Sequence, residues 1–114
     1  MVATGDPAAP SADDDKLLTL ARSARARTGA PEGAAVRDDI GRTYVASSVE
    51  LPSLRLSAVQ AVVAAAVSSG SDRLQAAAVV TAADALSDAD RAVLTDVAVA
   101  SVLLAGPDGI VRTT

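Results

Sequence analysis

The residues on which most enzyme sites depend are missing from this chain, which contains no cysteine and no histidine. Zinc sites are built mainly from thiolates and imidazoles, and an activated serine ordinarily needs a histidine as its base. The composition therefore excludes ordinary zinc-dependent and thiol-dependent enzymes. A catalytic or metal-binding group would have to be a carboxylate, a hydroxyl or the single lysine, Lys16, which follows three aspartates.

Most carboxylates lie where secondary structure alone explains them. Residues 13–15 and 88–90 stand at the starts of predicted helices, where acidic side chains bind free N–H groups. Asp38 and Asp39 occupy a predicted turn, for which aspartate is a preferred residue. We therefore expect caps and turns at these places rather than a metal site.

Glu50 is the carboxylate that most resembles a site residue. It follows a predicted strand and precedes Pro52, and side chains that follow strands often line sites in α/β proteins. An exposed residue at the end of a strand is the alternative. No glycine-rich phosphate loop accompanies it, since Gly29 and Gly33 flank a proline and match no nucleotide-binding fingerprint.

Charge and composition narrow the classes of partner. The net charge of −4 and the pI near 4.5 argue against general nucleic-acid binding. A solvated helix surface accounts for the cluster of Arg22, Arg25 and Arg27, with an RNA or phosphate contact as the alternative.

Tyr44 is the one aromatic residue, so we expect a core of small side chains and a contribution from self-association to stability. Neither a secretory signal nor a membrane-spanning segment is recognisable, which predicts a cytoplasmic protein.

Local signals predict a mobile arm at residues 1–12 and one domain over residues 13–114. The first helix begins with Ser11 or Asp13 as its N-cap and ends near Gly29. The order α-β-β-α-β-α-β-β indicates an α/β fold with a mixed sheet of about five strands flanked by helices. The other predicted helices cover residues 55–69 and 88–97, and the predicted strands cover residues 34–37, 43–49, 74–81, 101–105 and 110–112.

The second predicted helix is apolar nearly all round, which is typical of a helix that is buried on every side. In a domain of this size the sheet would cover one face, and a partner subunit is the simplest cover for another. We therefore predict a homo-oligomer, a dimer or a tetramer, that forms through an association helix. Its contact residues would be Leu56, Val59, Val62, Val63 and Val67.

Several local strings resemble those of the homotetrameric cytidine deaminases. Residues 33–36 (Gly-Ala-Ala-Val) are similar to that family's first strand, and residues 39–42 (Asp-Ile-Gly-Arg) to its hairpin turn. Residues 48–50 (Ser-Val-Glu) stand where the family has Asn-Val-Glu, which holds the ribose of the nucleoside. Residues 56–70 resemble the active-site helix that begins Cys-Ala-Glu. The resemblance extends over residues 13–112 and implies the three-layer fold of the family.

The resemblance also implies that the zinc site of the family has been lost. It places Ser57 at the first zinc ligand and Val59 at the glutamate that carries the proton. It places Ser87 and Asp90 at the two cysteines of the family's second motif. We therefore expect no metal, no cofactor and no deamination.

These observations predict a catalytically degenerate family member that acts by self-association and by interaction with a protein partner. The chain is similar to short, alanine-rich actinobacterial members that are commonly encoded beside a ribosome-assembly GTPase. The resemblance therefore implies a link to ribosome assembly or RNA metabolism. The alternatives are a nucleoside- or nucleotide-binding module, which would use Ser48 and Glu50, and a divergent enzyme related to the cytidine deaminases.

Overall fold

The computed structural model describes residues 11–112, in which three helices and seven strands follow one another. Positions 1–10 of the predicted arm, which covers residues 1–12, lie outside the described residues. Ser11 is the N-cap of the first helix, and Ala12 is its first residue. The helices are α1 (Ala12–Thr28), α2 (Ala58–Ser68) and α3 (Asp88–Asp96). The strands are β1 (Glu32–Asp38), β2 (Thr43–Ser47), β3 (Val49–Leu51), β4 (Leu54–Leu56), β5 (Leu74–Thr81), β6 (Ser101–Ala105) and β7 (Val111–Arg112).

Five of the strands form one mixed sheet in the order β2-β1-β5-β6-β7. Neighbouring strands in it are antiparallel except β5 and β6, which are parallel and are connected through α3. The other two strands, β3 and β4, pair as a separate antiparallel hairpin. The predicted strand over residues 43–49 therefore divides between β2 and β3. The predicted α/β class, a five-stranded mixed sheet flanked by helices, is confirmed.

Helices cover both faces of the main sheet and so produce three layers. The side chains of β5 alternate between the two cores: Ala78 lies in the core beneath α1, whereas Ala77 and Val79 lie in the core beneath α2 and α3. A strand that is buried on both faces needs apolar residues at every position, which explains the uninterrupted apolar run at residues 76–80. No helix within residues 11–112 is long and apolar enough to cross a membrane.

Caps define both ends of α1. Ser11 accepts a hydrogen bond from the backbone N–H of Asp14 at 3.1 Å, and Gly29 ends the helix in the left-handed conformation. The helix approaches β1 so closely that a Cβ atom on Gly33 would overlap the carbonyl oxygen of Ala21. Glycine is required at position 33 by this approach of helix to strand.

The second helix begins later than predicted from the sequence. Residues 54–56 form β4, and α2 starts after Ser57, which makes a capping box with Gln60. The prediction that Leu56 belongs to an association helix is therefore wrong, because Leu56 lies opposite Val49 in the hairpin.

The apolar side chains of α2 are mostly used within the chain itself. Val59, Val62 and Val63 are buried in the core that α2 and α3 form on the sheet. Val67, in contrast, is 46% exposed. The prediction that this helix needs a partner subunit to cover its apolar sides is therefore wrong for these three valines, because α3 and the sheet already cover them.

The turn between β1 and β2 is organised around Asp38, which is fully buried. Its carboxylate accepts hydrogen bonds from Arg42 Nε at 2.8 Å, from Ser71 Oγ at 2.6 Å and from the backbone N–H groups of Ile40 and Arg42. Burial alone would raise the pKa of Asp38, but these hydrogen bonds outweigh burial and lower the pKa to about 2. The Tyr44 hydroxyl, 3.1 Å from Ser71 Oγ, completes a structural cluster.

Candidate functional site

Side chains at the N-termini of α2 and α3 meet in one hydrogen-bonded group. Ser57, the N-cap of α2, donates through Oγ to Asp90 Oδ1 at 2.6 Å and accepts the backbone N–H of Gln60 at 3.0 Å. The short distance is typical of a hydroxyl that donates to an ionised carboxylate. A charge-assisted hydrogen bond therefore joins two helices that are separated by β5 in the chain.

Asp90 is also held by its own helix. It is the third residue of α3, and its backbone N–H donates to the N-cap hydroxyl of Ser87 at 3.1 Å. The residue is 5% exposed, so its carboxylate is withdrawn from solvent beside Ser57. Direct hydrogen bonds thus link three of the four positions that the sequence analysis singled out, Ser57, Ser87 and Asp90.

The fourth position, Val59, lies in the first turn of α2 and is part of the core. It is 1% exposed and belongs to the same apolar cluster as Leu86 and Leu94. An isopropyl group neither accepts nor releases a proton. No proton can therefore be relayed by the side chain at this position.

A cleft of about 520 Å³ opens beside the N-terminus of α2. Its lining includes Ser48 and Glu50, the candidate ligand-binding residues, together with Ser57. The start of β1 with the two residues before it, the hairpin, and the end of β5 with the residue after it supply the rest: Ala30, Pro31, Glu32, Val49, Arg55, Leu56, Thr81 and Ala82. The volume falls within the range of about 300–1,000 Å³ that is common for small-molecule sites.

Glu32 is a charged residue of this cleft that the sequence analysis missed. Its Oε1 lies 3.4 Å from the backbone nitrogen of Ala58, the first residue of α2. The first turn of α2 contains no acidic residue, so this carboxylate from β1 supplies the negative charge that a helix N-terminus favours. No local signal in β1 could have indicated it, because the contact depends on how the strand and the helix pack.

The candidate ligand-binding residues differ in how far they are already engaged. Ser48 is half-buried, and its Oγ accepts the backbone N–H of Glu32 at 3.3 Å. Glu50 is exposed and lies opposite Arg55 in the β3–β4 hairpin. The sequence predicts Arg55 in a helix, whereas Arg55 lies in β4 as the neighbour of Glu50. Of the two candidates, Glu50 is the more accessible to a ligand.

The residues at the N-termini of α2 and α3 do not fit a zinc ion. A catalytic zinc takes three protein ligands, drawn from thiolates, imidazoles and carboxylates. Carboxylates are the only groups of this kind here, and two of them are already engaged: Asp90 Oδ1 accepts the Ser57 hydroxyl, and Glu32 Oε1 lies against the backbone nitrogen of Ala58. Within residues 11–112 no three His, Cys, Asp or Glu side chains come together closely enough to hold a metal. The zinc ion that the cytidine deaminases bind therefore has no ligand set in the described part of this chain.

Comparison with known proteins identifies the family. A model of the cytidine deaminase-like family matches residues 10–109, whereas no curated protein sequence gives a significant match. The chain is similar to the solved cytidine deaminase of Burkholderia pseudomallei, with 26% identity and a TM-score of 0.75 over 87% of this chain and 89% of that one. It is 31% identical to the cytidine deaminase of Mycobacterium tuberculosis, with a TM-score of 0.69 over 90% of each chain. The cytidine deaminase of Mycobacterium leprae is 27% identical, with a TM-score of 0.65 over 90% of this chain and 94% of that one. The chain therefore belongs to the cytidine deaminase-like family.

Proposed function

We propose that the chain is a catalytically degenerate member of its family, which acts by self-association and by interaction with a protein partner. The observation that carries this proposal is the hydrogen bond between Ser57 Oγ and Asp90 Oδ1. The resemblance places both residues at zinc-ligand positions. Here the two side chains bind each other, and this hydrogen bond joins the N-termini of α2 and α3.

Two groups that the deamination of a cytosine base requires are missing. In the zinc deaminases a zinc-bound water attacks C4 of cytosine, and a glutamate that is not a ligand moves the proton. The chain has no cysteine or histidine to hold the zinc. A buried valine, Val59, stands at the position to which the resemblance assigns the glutamate. The zinc ligands and the glutamate act in the same step, so restoring one of them would not restore deamination while the other is missing.

Metal binding by the purified chain tests the degeneracy. Dialysis against Zn²⁺ followed by elemental analysis should leave far less than one zinc per chain, and a Ser57→Ala variant should retain the same amount as the wild type. One equivalent of zinc that survives dialysis in the wild type and is lost in Ser57→Ala would contradict the proposal.

Apolar surface supports self-association. Leu51 and Leu54 in the hairpin are 53% and 48% exposed, and Val67 on α2 is 46% exposed. The largest fully buried apolar side chains are leucines and valines, and Tyr44 is only partly buried against this core. Burial of apolar surface between copies would add to the stability of such a core. Light scattering should therefore give a mass of two or more chains, each of 11.3 kDa. A single species with the mass of one chain at all concentrations would contradict self-association.

The protein partner is proposed to belong to ribosome assembly or RNA metabolism. The support is the resemblance to short members that are commonly encoded beside a ribosome-assembly GTPase. Affinity capture of the tagged chain from its own cells, after crosslinking, should enrich a protein of that process. Recovery of the chain with no such protein, in repeated captures, would contradict this assignment.

A nucleoside- or nucleotide-binding module is the second candidate, and the cleft beside α2 favours it. The cleft has a common volume for a small-molecule site, and Glu50 is exposed in it. A ligand that binds the folded chain raises its melting temperature. Millimolar nucleosides or nucleotides that stabilise the wild type but not Glu50→Gln would favour this function over association alone. No shift for any of them would argue against it.

A further inference from the structure

A groove of about 490 Å³, the α2–α3 groove, lies between the second and third helices. Its lining residues recur at intervals of three and four along both helices, which places them on one face of each. They are Gln60, Val63, Ala64 and Val67 on α2, and Val93, Asp96 and Val97 on α3 and at its end. Two such faces side by side form a surface into which the ridge of a third helix can pack.

The walls of the groove favour a helix over an extended peptide as its occupant. Both walls are helices, whose backbone groups bond within the helix, so the walls present side chains rather than a strand edge. An extended peptide would find no backbone partners there, whereas a helix satisfies its own backbone and needs only side-chain contacts. Valine and alanine make up most of the lining, so the backbone of a docked helix could approach closely.

The dipoles of the two helices make one end of the groove negative. Ser57 before α2 binds Asp90 in the first turn of α3. Beyond the other ends of the helices, the backbone N–H of Leu74 donates to the carbonyl of Val97 at 3.1 Å. The helices therefore run in the same direction, and their negative C-terminal ends lie together. Neither helix has a basic residue in its last turn to balance this charge.

Two carboxylates add to the negative charge at this end. Asp72, which follows α2, and Asp96, the last residue of α3, line the groove and are exposed. Neither has a cation within 4 Å among residues 11–112, and Arg73, next to Asp72, does not line the groove. An apolar floor with a negative end is complementary to a helix that carries cations beside an apolar face.

The described elements of a second copy do not supply such a helix. The apolar side chains of α1, which has a basic last turn, are buried in its own core. The sequence of α2 contains no charged residue, and that of α3 contains three aspartates and one arginine. In the hairpin, Arg55 lies on the face opposite to Leu51 and Leu54, so its charge does not accompany their apolar surface. The groove therefore favours a different protein as its partner.

We propose that the α2–α3 groove binds a basic amphipathic helix of a protein partner. The apolar face of that helix packs on the valines of the groove, and its lysine or arginine side chains meet Asp72 and Asp96. Docking covers Val67, which is 46% exposed. This inference rests on the partner interaction proposed above and names the surface and the chemistry of the partner.

Binding of a designed peptide to the full chain tests the groove. The probe is a fluorescently labelled peptide of about 18 residues, long enough to form a helix, with leucine along one face and lysine beside it. Fluorescence anisotropy should show saturable binding to the wild type. A matched peptide with glutamate in place of lysine should bind about tenfold more weakly or not at all, because like charges replace the ion pairs. Absence of binding, or equal binding of both peptides, would overturn the proposal.

Matched substitutions on α2 locate the contact. Ala64 lines the groove, whereas Ala65, the next residue, does not, and both are exposed. Ala64→Glu should weaken binding of the lysine peptide by about tenfold or more, and Ala65→Glu should leave it unchanged. Both variants should fold, which circular dichroism and thermal melting check. Equal effects of the two substitutions would show that the peptide does not occupy the groove.

The two carboxylates test the charge match separately. Asp72→Asn and Asp96→Asn should each weaken binding of the lysine peptide by up to about fivefold, as expected for an exposed ion pair. The loss should shrink at high salt, which screens exposed charges. Unchanged binding in the double variant would mean that the partner need not be basic, and the proposal would fail.

Capture from cells separates failure of the groove from failure of the proposed function. A wild-type chain that captures no protein partner overturns both the partner interaction and the groove. A partner captured equally by the wild type and Ala64→Glu overturns the groove and leaves the partner interaction standing. If Ala64→Glu alters only the association of the chain with itself, a second copy occupies the groove and the proposal is wrong. Loss of the partner in Ala64→Glu but not in Ala65→Glu, together with binding of the lysine peptide, is the expected result.

Discussion

The two cavities beside α2 differ in what their side chains are free to do. The cleft at the N-terminus of α2 has polar groups in its mixed lining, and two of them are already engaged: Ser57 binds Asp90, and Ser48 binds the backbone of Glu32. The α2–α3 groove, of about 490 Å³, is lined mainly by apolar residues such as Val67 and Val93, and the two carboxylates in its lining, Asp72 and Asp96, form no ion pair within residues 11–112. The comparison teaches that the end of the helix where the family carries out chemistry is satisfied internally, while the side of the same helix remains available for contact.

The largest difference should appear when glutamate replaces valine at matched positions of α2. Val59→Glu would bury an unpaired charge beside the cleft and should lower the free energy of unfolding by about 3–5 kcal/mol. Val67→Glu, at the exposed groove position, should change it by less than about 0.5 kcal/mol. Urea denaturation of both variants at a concentration where the chain is monomeric provides the measurement. Comparable stability for the two variants would show that position 59 has access to solvent after all.

Removal of the two N-cap serines should separate a simple cap from a cap that also joins helices. Ser87→Ala should cost about 1 kcal/mol, the usual effect of a lost N-cap. Ser57→Ala should cost about 2–3 kcal/mol, because it also removes a hydrogen bond to the buried Asp90 carboxylate. In a double-mutant cycle, Ser57→Ala and Asp90→Ala should couple by about 1 kcal/mol or more. Additive effects would mean that the contact between α2 and α3 contributes nothing to stability.

The pH dependence of stability should report the buried carboxylate of Asp38, which lies in the turn cluster and in neither cavity. Its pKa is about 2 in the folded chain and near 3.8 when unperturbed. A depressed pKa stabilises the folded state above the unperturbed value, so this contribution should be lost as the pH falls from about 4 to about 2. Chemical denaturation across that range should show a smaller decrease for Asp38→Asn than for the wild type. An equal decrease in both would assign the acid sensitivity to other groups.

The smallest effect is expected at Glu50, the exposed carboxylate of the cleft. Glu50→Gln should change the free energy of unfolding by less than about 0.5 kcal/mol and should leave binding of the lysine peptide unchanged. Val67→Glu, with a similarly small effect on stability, should weaken that binding. A reversal of this pattern would move the partner surface from the groove to the cleft.

Much of the fold could be predicted from local signals in the sequence. The N-cap at Ser11 and the left-handed Gly29 define α1, and the apolar run of residues 74–81 forms β5 as predicted. The predicted start of α2 is too early because residues 54–56 (Leu-Arg-Leu) are too short a segment to distinguish a strand from the first turn of a helix. The capping box of Ser57 and Gln60 was the signal that could have resolved it.

The candidate site was less accessible to sequence reasoning, because its contacts join distant parts of the chain. The resemblance selected Ser57 and Asp90, which are 33 residues apart and bind each other. Glu32 could not be predicted, since its contact with Ala58 depends on the packing of β1 against α2. Val62 is buried in a core that also contains residues of β1, β5 and α3, so an apolar pattern alone does not reveal which sides of α2 are covered.

The central claim is that this chain no longer carries out deamination, and turnover of cytidine tests it most directly. The wild-type chain, at micromolar concentration and with added Zn²⁺, should form no uridine above the uncatalysed background in chromatography after hours of incubation. A cytidine deaminase under the same conditions serves as the positive control. Zinc-dependent production of uridine by the wild type that falls in Ser57→Ala and Asp90→Ala variants would contradict the account.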